Sequence, residues 1–245
     1  MPNQNCATRL HRLFTRLKQG DPALASVDVW SAALELPTAE GLDKQELVNG
    51  ALVVVQTETR IMLEQLRALQ TIDSAAFEKI VAEIRNLLSA VYLGHQWSAV
   101  KAQISDSILM ALPLFAGLLP DQENEISKEE LNDLEKYLLD LEQMLRDTDI
   151  PTELSTIFRL QISAIRQALI FYAVTGKKAI EAATTSSIGE LLMRKNDFQQ
   201  VETTPFWKRY AEFWPKICAV VDGADKVEKV AKITERVIFL LGKIS

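Results

Sequence analysis

The side chains best able to do chemistry are scarce: two histidines and two cysteines in 245 residues. Neither His11 nor His95 has a glutamate three residues before it (Thr8 and Tyr92 stand there), so the Glu-x-x-His pair of di-metal helical bundles is missing. There is no Cys-x-x-Cys and no His-Glu-x-x-His, the common zinc arrangements. Gly41 and Gly50 are too far apart to cradle a phosphate. Glu130 and Asp133 share the i, i+3 spacing of magnesium-binding carboxylates on a helix, but no second pair stands out to face them. A solvated acidic face is the simpler reading. The sequence therefore points to no catalytic residue, no metal ligand and no cofactor. A carboxylate-dependent metal enzyme acting on a small phosphorylated substrate remains only as a third reading.

Charge and aromatic patterning say more. Residues 121–149 hold eleven acids and three bases, a net −8 in a chain whose total is −6. Glu129, Asp133 and Asp140 are the candidate contacts of a docking face there, whose field would speed encounter with a basic partner. The first twenty residues carry Arg9, Arg12, Arg16 and Lys18 and no acid. The three arginines fall at i, i+3 and i+7 beside an apolar face, which makes them candidates for contact with a membrane surface or another anion. Phe206, Trp207, Tyr210, Phe213 and Trp214 place five of the seventeen aromatics within nine residues, interleaved with Lys208, Arg209 and Lys216. Trp207, Arg209 and Trp214 are the candidate anchors of a partner interface, with Trp207 expected to be the exposed one. Finally, Ser107–Pro120 is fourteen residues without a charge, too short to span a bilayer and expected in the core.

The elements that must position these groups read as helices nearly throughout. Cys6, Leu10, Leu13, Phe14 and Leu17 line one helix face, and Gly20 stands where a left-handed residue would end it. A short helix over Val29–Leu36 stops at Pro37, and a long one runs from the N-cap Asp43 to about Leu69. Phe77–Val91 carries the next stripe, closing at Gly94. Ser98–Pro120 follows, with Val100, Ile104, Ile108, Ala111, Phe115 and Leu118 inward and a kink or split at Pro113. Ser127 with Glu130 forms a capping box, with Ile126 and Leu131 as a hydrophobic staple, before a strict leucine rhythm to Leu145. The segment from Pro151 to Val174 is apolar over most of its circumference, so it should lie at the centre of the fold. An alanine-rich helix covers Lys177–Arg194, and a polar linker, Asn196–Thr203, follows it. Thr204 and Pro205 then start the aromatic helix, and after a turn at Asp222-Gly223 a final amphipathic helix carries Val230, Ile233, Val237, Leu240 and Ile244.

The expected fold is all-α: a multi-helix bundle of roughly nine to ten helices around a central buried helix near 151–174. One domain over 1–245 is expected, with a sub-boundary at 121–126. Seventeen glycines and prolines and a 48% hydrophobic fraction exclude disordered and fibrous classes. Two thiols cannot form a disulfide scaffold and suit a reducing, cytoplasmic setting. The start lacks the apolar core of a secretory signal, and the acidic balance argues against nucleic acid as partner. The first functional reading is a non-enzymatic protein acting through protein contacts or self-association, as an adaptor, regulator or assembly subunit. The second is a membrane-acting helical effector of toxin or defence type, with peripheral rather than transmembrane contact.

Overall fold

The computed structural model describes residues 4–37, 43–69, 74–120, 125–194 and 196–222. The final helix expected after Asp222-Gly223 lies outside them. Among the described residues the protein is all-helical, with eleven α-helices, two 3-10 turns and a single isolated bridge between Ala25 and Gln96. It divides into two compact units: Met1–Glu123 with Ile170–Gly176, and Asn124–Leu169 with Lys177–Ser245.

In the first unit α1 (Cys6–Gln19) is the enclosed element, packed against α2 (Ser26–Ala33), α3 (Lys44–Ala68), α6 (Asp106–Leu118) and α9 (Tyr172–Thr175). Cys6, Ala7, Leu10, Phe14 and Leu17 are buried on it. Asn5 performs two caps at once. Its Oδ1 accepts from Thr8 N–H at 3.1 Å to start α1, while its Nδ2 donates to the carbonyls of Ala116 (3.0 Å) and Leu119 (3.3 Å) at the end of α6. Gly20 does end α1, but with φ −53° it is not left-handed. Glycine is required there by close approach: a Cβ would stand 2.5 Å from Val29 Cγ1 and 2.9 Å from Trp97 Nε1. That indole donates to Leu17 O at 3.1 Å, satisfying a carbonyl at the end of α1.

The stop of α2 is a Schellman turn without glycine. Leu36 N–H reaches Ser31 O at 3.0 Å and Glu35 N–H reaches Ala32 O at 3.1 Å, with Glu35 left-handed at φ 55°. Arg16 braces it, donating to Ala33 O (3.2 Å) and pairing with Glu35 (2.9 Å). In α3, Asp43 caps as expected, accepting from Gln45 and Glu46 N–H. Thr59, a polar residue on the inner face of α3, is buried, its hydroxyl donating to Val55 O at 2.7 Å.

Two boundaries differ from expectation. The helix α4 (Ser74–Leu87) ends before a separate 3-10 turn, Ala90–Gly94, so Gly94 closes that turn rather than α4. Ser98–Pro120 is split at Ala102–Ser105 into α5 (Trp97–Lys101) and α6, whereas Pro113 sits within α6. Ser105 makes the break by capping α6: its Oγ accepts from Ile108 N–H at 3.3 Å and donates to Glu83 at 2.7 Å. The new start turns α6 so that Leu112 and Leu119 are buried, while Leu118 is exposed and Ala111 half-buried.

The second unit contains α7 (Lys128–Asp147), α8 (Thr152–Ile170, up to Leu169), α10 (Lys177–Met193) and α11 (Pro205–Asp222). The capping box of α7 is complete: Ser127 Oγ accepts from Glu130 N–H at 3.2 Å, and Glu130 Oε2 accepts from Ser127 N–H at 2.9 Å. The Ser127 hydroxyl and N–H hold the Glu130 carboxyl below its usual pKa. The helix read over 151–174 stops at Ile170. Its buried face is Leu154, Ile157, Phe158, Gln161, Ile162, Ile165 and Ala168. Leu160, on the second apolar face, is 65% exposed, so burial is one-sided there. Phe158 meets Phe198, Phe206, Trp207 and Tyr210 with ring centroids 4.8–6.1 Å apart.

Two substitutions should have opposite signs in thermal and denaturant unfolding. Gly20→Ala should destabilise by about 1–3 kcal/mol, because Trp97 must move off Leu17. Glu35→Gly should stabilise by about 1 kcal/mol, since relief of the left-handed conformation outweighs an exposed ion pair.

Candidate functional site

The sequence proposes three surfaces, and the structure places each differently. In the aromatic segment, Thr204 Oγ1 accepts from Trp207 N–H at 3.1 Å and Pro205 opens α11, as the residue types dictate. Phe206, Tyr210, Phe213, Trp214 and Ile217 are buried as one face. Trp207, expected to point outward, is buried too, at 4% exposure. The reason lies in the stretch read as a polar linker. Its 3-10 turn Asp197–Gln200 buries Phe198, whose ring stacks on Trp207 at 5.4 Å. Trp207 and Trp214, expected at a surface, are therefore core residues of the second unit.

Arg209 and Asp140, assigned to separate surfaces, meet across α7 and α11. Arg209 Nε donates to Asp140 Oδ2 at 2.6 Å, and its Nη1 approaches Glu212 Oε2 at 3.4 Å. The guanidinium carbon lies 3.8 Å from the centre of the Tyr137 ring, and the Tyr137 hydroxyl donates to Glu212 at 3.0 Å. Burial together with that carboxylate raises the Tyr137 pKa to about 12, against the opposing pull of Arg209. Burial works against the Arg209 charge, but the Asp140 hydrogen bond and the surrounding groups hold its pKa above the ordinary guanidinium value. The three acids proposed for docking, Glu129, Asp133 and Asp140, are all exposed, with Asp140 paired to Arg209 and Asp133 lying 3.6 Å from Lys136. A groove of about 750 Å³ runs here, lined by Glu130, Asp133, Tyr137, Asp140, Arg209 and Lys216 among others. Its acids and bases balance, and two of each already pair within the chain. It is a mixed groove, with Leu134, Ala219 and Val220 also in its lining and no excess of either sign of charge.

The arginine stripe of α1 does not form an open anion-binding face. Arg9 is buried, donating from Nε to Val174 O at 2.7 Å and pairing with Glu58 at 3.0 Å. Arg16 is engaged with Ala33 O and Glu35, and Arg12 is half-buried with interactions of its own. The helix is amphipathic, but Arg9, Arg16 and Lys18 each turn to a carbonyl of a neighbouring segment. Both cysteines are free and buried, and no group of three or more His, Cys, Asp or Glu suited to a metal occurs among the described residues.

The surface that sequence reasoning missed is the outer face of α6. Ile108, Leu112 and Phe115 bury one face against α1 and α4, while Met110, Leu114 and Leu118 are 73%, 68% and 42% exposed. Those three lie at i, i+4 and i+8, with exposed Pro113 and Gly117 between them. The expectation that Ser107–Pro120 is core holds for one face only. The missed signal is geometric: a helix apolar all round needs cover on every side. No described helix is long and apolar enough to cross a membrane.

Tyr137 gives the site a spectroscopic handle. Its raised pKa means the associated stability is full below about pH 10, the unfolded value, and is lost as pH rises through about 12. An alkaline titration of tyrosinate absorbance should show a component near 12 that Tyr137→Phe removes and Glu212→Gln shifts downward. Trp207→Ala should cost about 3–5 kcal/mol in denaturant unfolding, as truncation of a packed core aromatic does.

Compared with protein families, curated proteins and solved structures, the chain matches none.

Proposed function

We propose that the chain is a non-enzymatic cytoplasmic protein acting through protein–protein contacts, as an adaptor, regulator or assembly subunit, with the outer face of α6 as its anchor. The observation that carries this reading is the row of exposed Met110, Leu114 and Leu118 on a helix without a charge after Asp106. Large apolar side chains in contiguous exposure favour a partner, because covering them releases water at roughly 25 cal/mol per Å². Met and Leu at this spacing suit the apolar seam of another helix. In the second unit, exposed Glu129 and Asp133 favour encounter with basic surfaces.

The same uncharged row supports a second reading, contact with a lipid surface. That reading also calls for cations beside the apolar row, and those of α1 largely serve internal carbonyls and carboxylates. The two are separable with Met110→Lys/Leu114→Lys, which alters only solvent-facing side chains and should leave the helical circular dichroism and melting temperature unchanged. Association with a partner from the source cells, or self-association on a sizing column, should weaken roughly tenfold or more in the double variant. Undiminished association would remove α6 from the proposal. Flotation of the parent protein with anionic vesicles, lost in the double variant, would favour the lipid reading instead.

A further inference from the structure

The segment Ile170–Gly176 is a seven-residue return of the chain into the first unit, preceded and followed by residues of the second. It makes one helical turn, α9, packed against α1 and α3. Only Val174 and Gly176 in it are buried, while Ile170, Phe171, Tyr172, Ala173 and Thr175 are half-buried. Val174 N–H and Thr175 N–H both turn back to Phe171 O at 2.9 Å, and Gly176 N–H to Tyr172 O at 2.8 Å. Gly176 then leaves in a left-side conformation, φ 65° and ψ −160°, that only glycine adopts readily. The carbonyl of Val174 falls at the end of this turn, where a helix presents acceptors that its own backbone does not meet.

Arg9 meets it. The guanidinium of this buried residue uses Nε for Val174 O at 2.7 Å and Nη2 for Glu58 Oε2 at 3.0 Å. One rigid fork thus ties three elements distant in sequence. Burying an ion pair adds little stability over well-packed apolar groups, so its contribution is directional. It selects one seat for one carbonyl. A second contact lies on α3, where the Phe171 ring stands beside Gly50: a Cβ there would meet Phe171 Cζ at 3.5 Å, ordinary van der Waals contact, and a longer side chain would press on the ring.

We propose that Ile170–Gly176 is a detachable clasp: an intrachain ligand seated on α1 and α3, latched by the Arg9–Glu58 fork, with its Phe171 ring beside Gly50. A short turn with shallow burial and one charge-assisted anchor belongs to the low-stability end of a fold, and opens without the helices beneath it. Opening frees a seat for an aromatic and an aliphatic side chain three residues apart, ending on an unmet carbonyl. This inference is independent of the α6 anchor.

Hydrogen exchange followed by mass spectrometry on the full chain tests it. Arg9→Met/Glu58→Met removes the fork without leaving a lone buried charge. Gly50→Leu leaves the fork intact and fills the space beside Phe171. In both variants peptides covering 170–176 should exchange roughly tenfold faster or more, while peptides from α1, α3 and α4 keep their protection. Unchanged protection of 170–176 in both variants overturns the proposal. So does loss of that protection only together with α1 and α3, which would make the segment an integral part of the core. If the double variant fails to fold, Gly50→Leu alone decides by the same criteria.

Discussion

Helix ends leave carbonyls that water or a donor must meet, and the first unit depends on how α1 meets them. Four polar side chains on or next to this enclosed helix each donate to the backbone of another element: Asn5 to Ala116 and Leu119, Arg9 to Val174, Arg16 to Ala33, Lys18 to Ile104. The arrangement is reciprocal, since Trp97 and Lys101 donate to Leu17 O and Gly20 O at the end of α1. A helix C-terminus carries a partial negative charge, so cations suit it electrostatically as well as geometrically. The basic stripe does therefore face anionic groups, but they are the ends of the protein's own helices. These bonds meet particular end carbonyls around a fourteen-residue helix that is enclosed on several sides.

The second unit is organised by ring packing rather than by capping. Phe158 on α8 stands among four aromatics from α11 and its preceding turn. The buried Tyr210 hydroxyl donates to Gln161, which donates in turn to Glu190 at 3.0 Å. This chain satisfies polar atoms that would otherwise be costly inside an aromatic core, and it fixes α8 against α10 and α11. Desolvation of Tyr210, with Glu190 nearby, raises its pKa well above the ordinary value and keeps the hydroxyl a donor. On the rim, Arg209 covers the Tyr137 ring while pairing with Asp140, so the acidic helix answers part of its own charge. Outward, α7 still shows Glu129, Glu130, Asp133, Glu135, Asp140 and Asp147, beside a groove whose acids and bases balance.

On α6 and α9 the apolar demand of a short helix is incompletely met. On α6 the core accepts one face and leaves a second apolar face in water. On α9 a single buried valine and a guanidinium hold a turn that is otherwise half-exposed. Neither involves reactive groups, and each offers shape and apolar surface.

Local rules in the sequence were enough for helical periodicity, for the caps at Asp43, Ser127–Glu130 and Thr204, and for the buried leucines of α7, because each depends on residues within one or two turns. They were not enough wherever the partner was distant. Helix periodicity alone points Trp207 away from the shared aromatic face, and only the turn that carries Phe198 onto its ring buries it. Gly20 looked like a left-handed terminator, but Val29 and Trp97 impose the glycine. Glu35 took the left-handed position without the glycine that marks one, braced by Arg16 from another helix. Arg9 resembled a surface cation until Glu58 and the Val174 carbonyl, 165 residues away, enclosed it. Periodicity shows that a helix has an apolar face. Which of two apolar faces is covered, and which cation finds a carbonyl, depends on the neighbours that tertiary packing brings together.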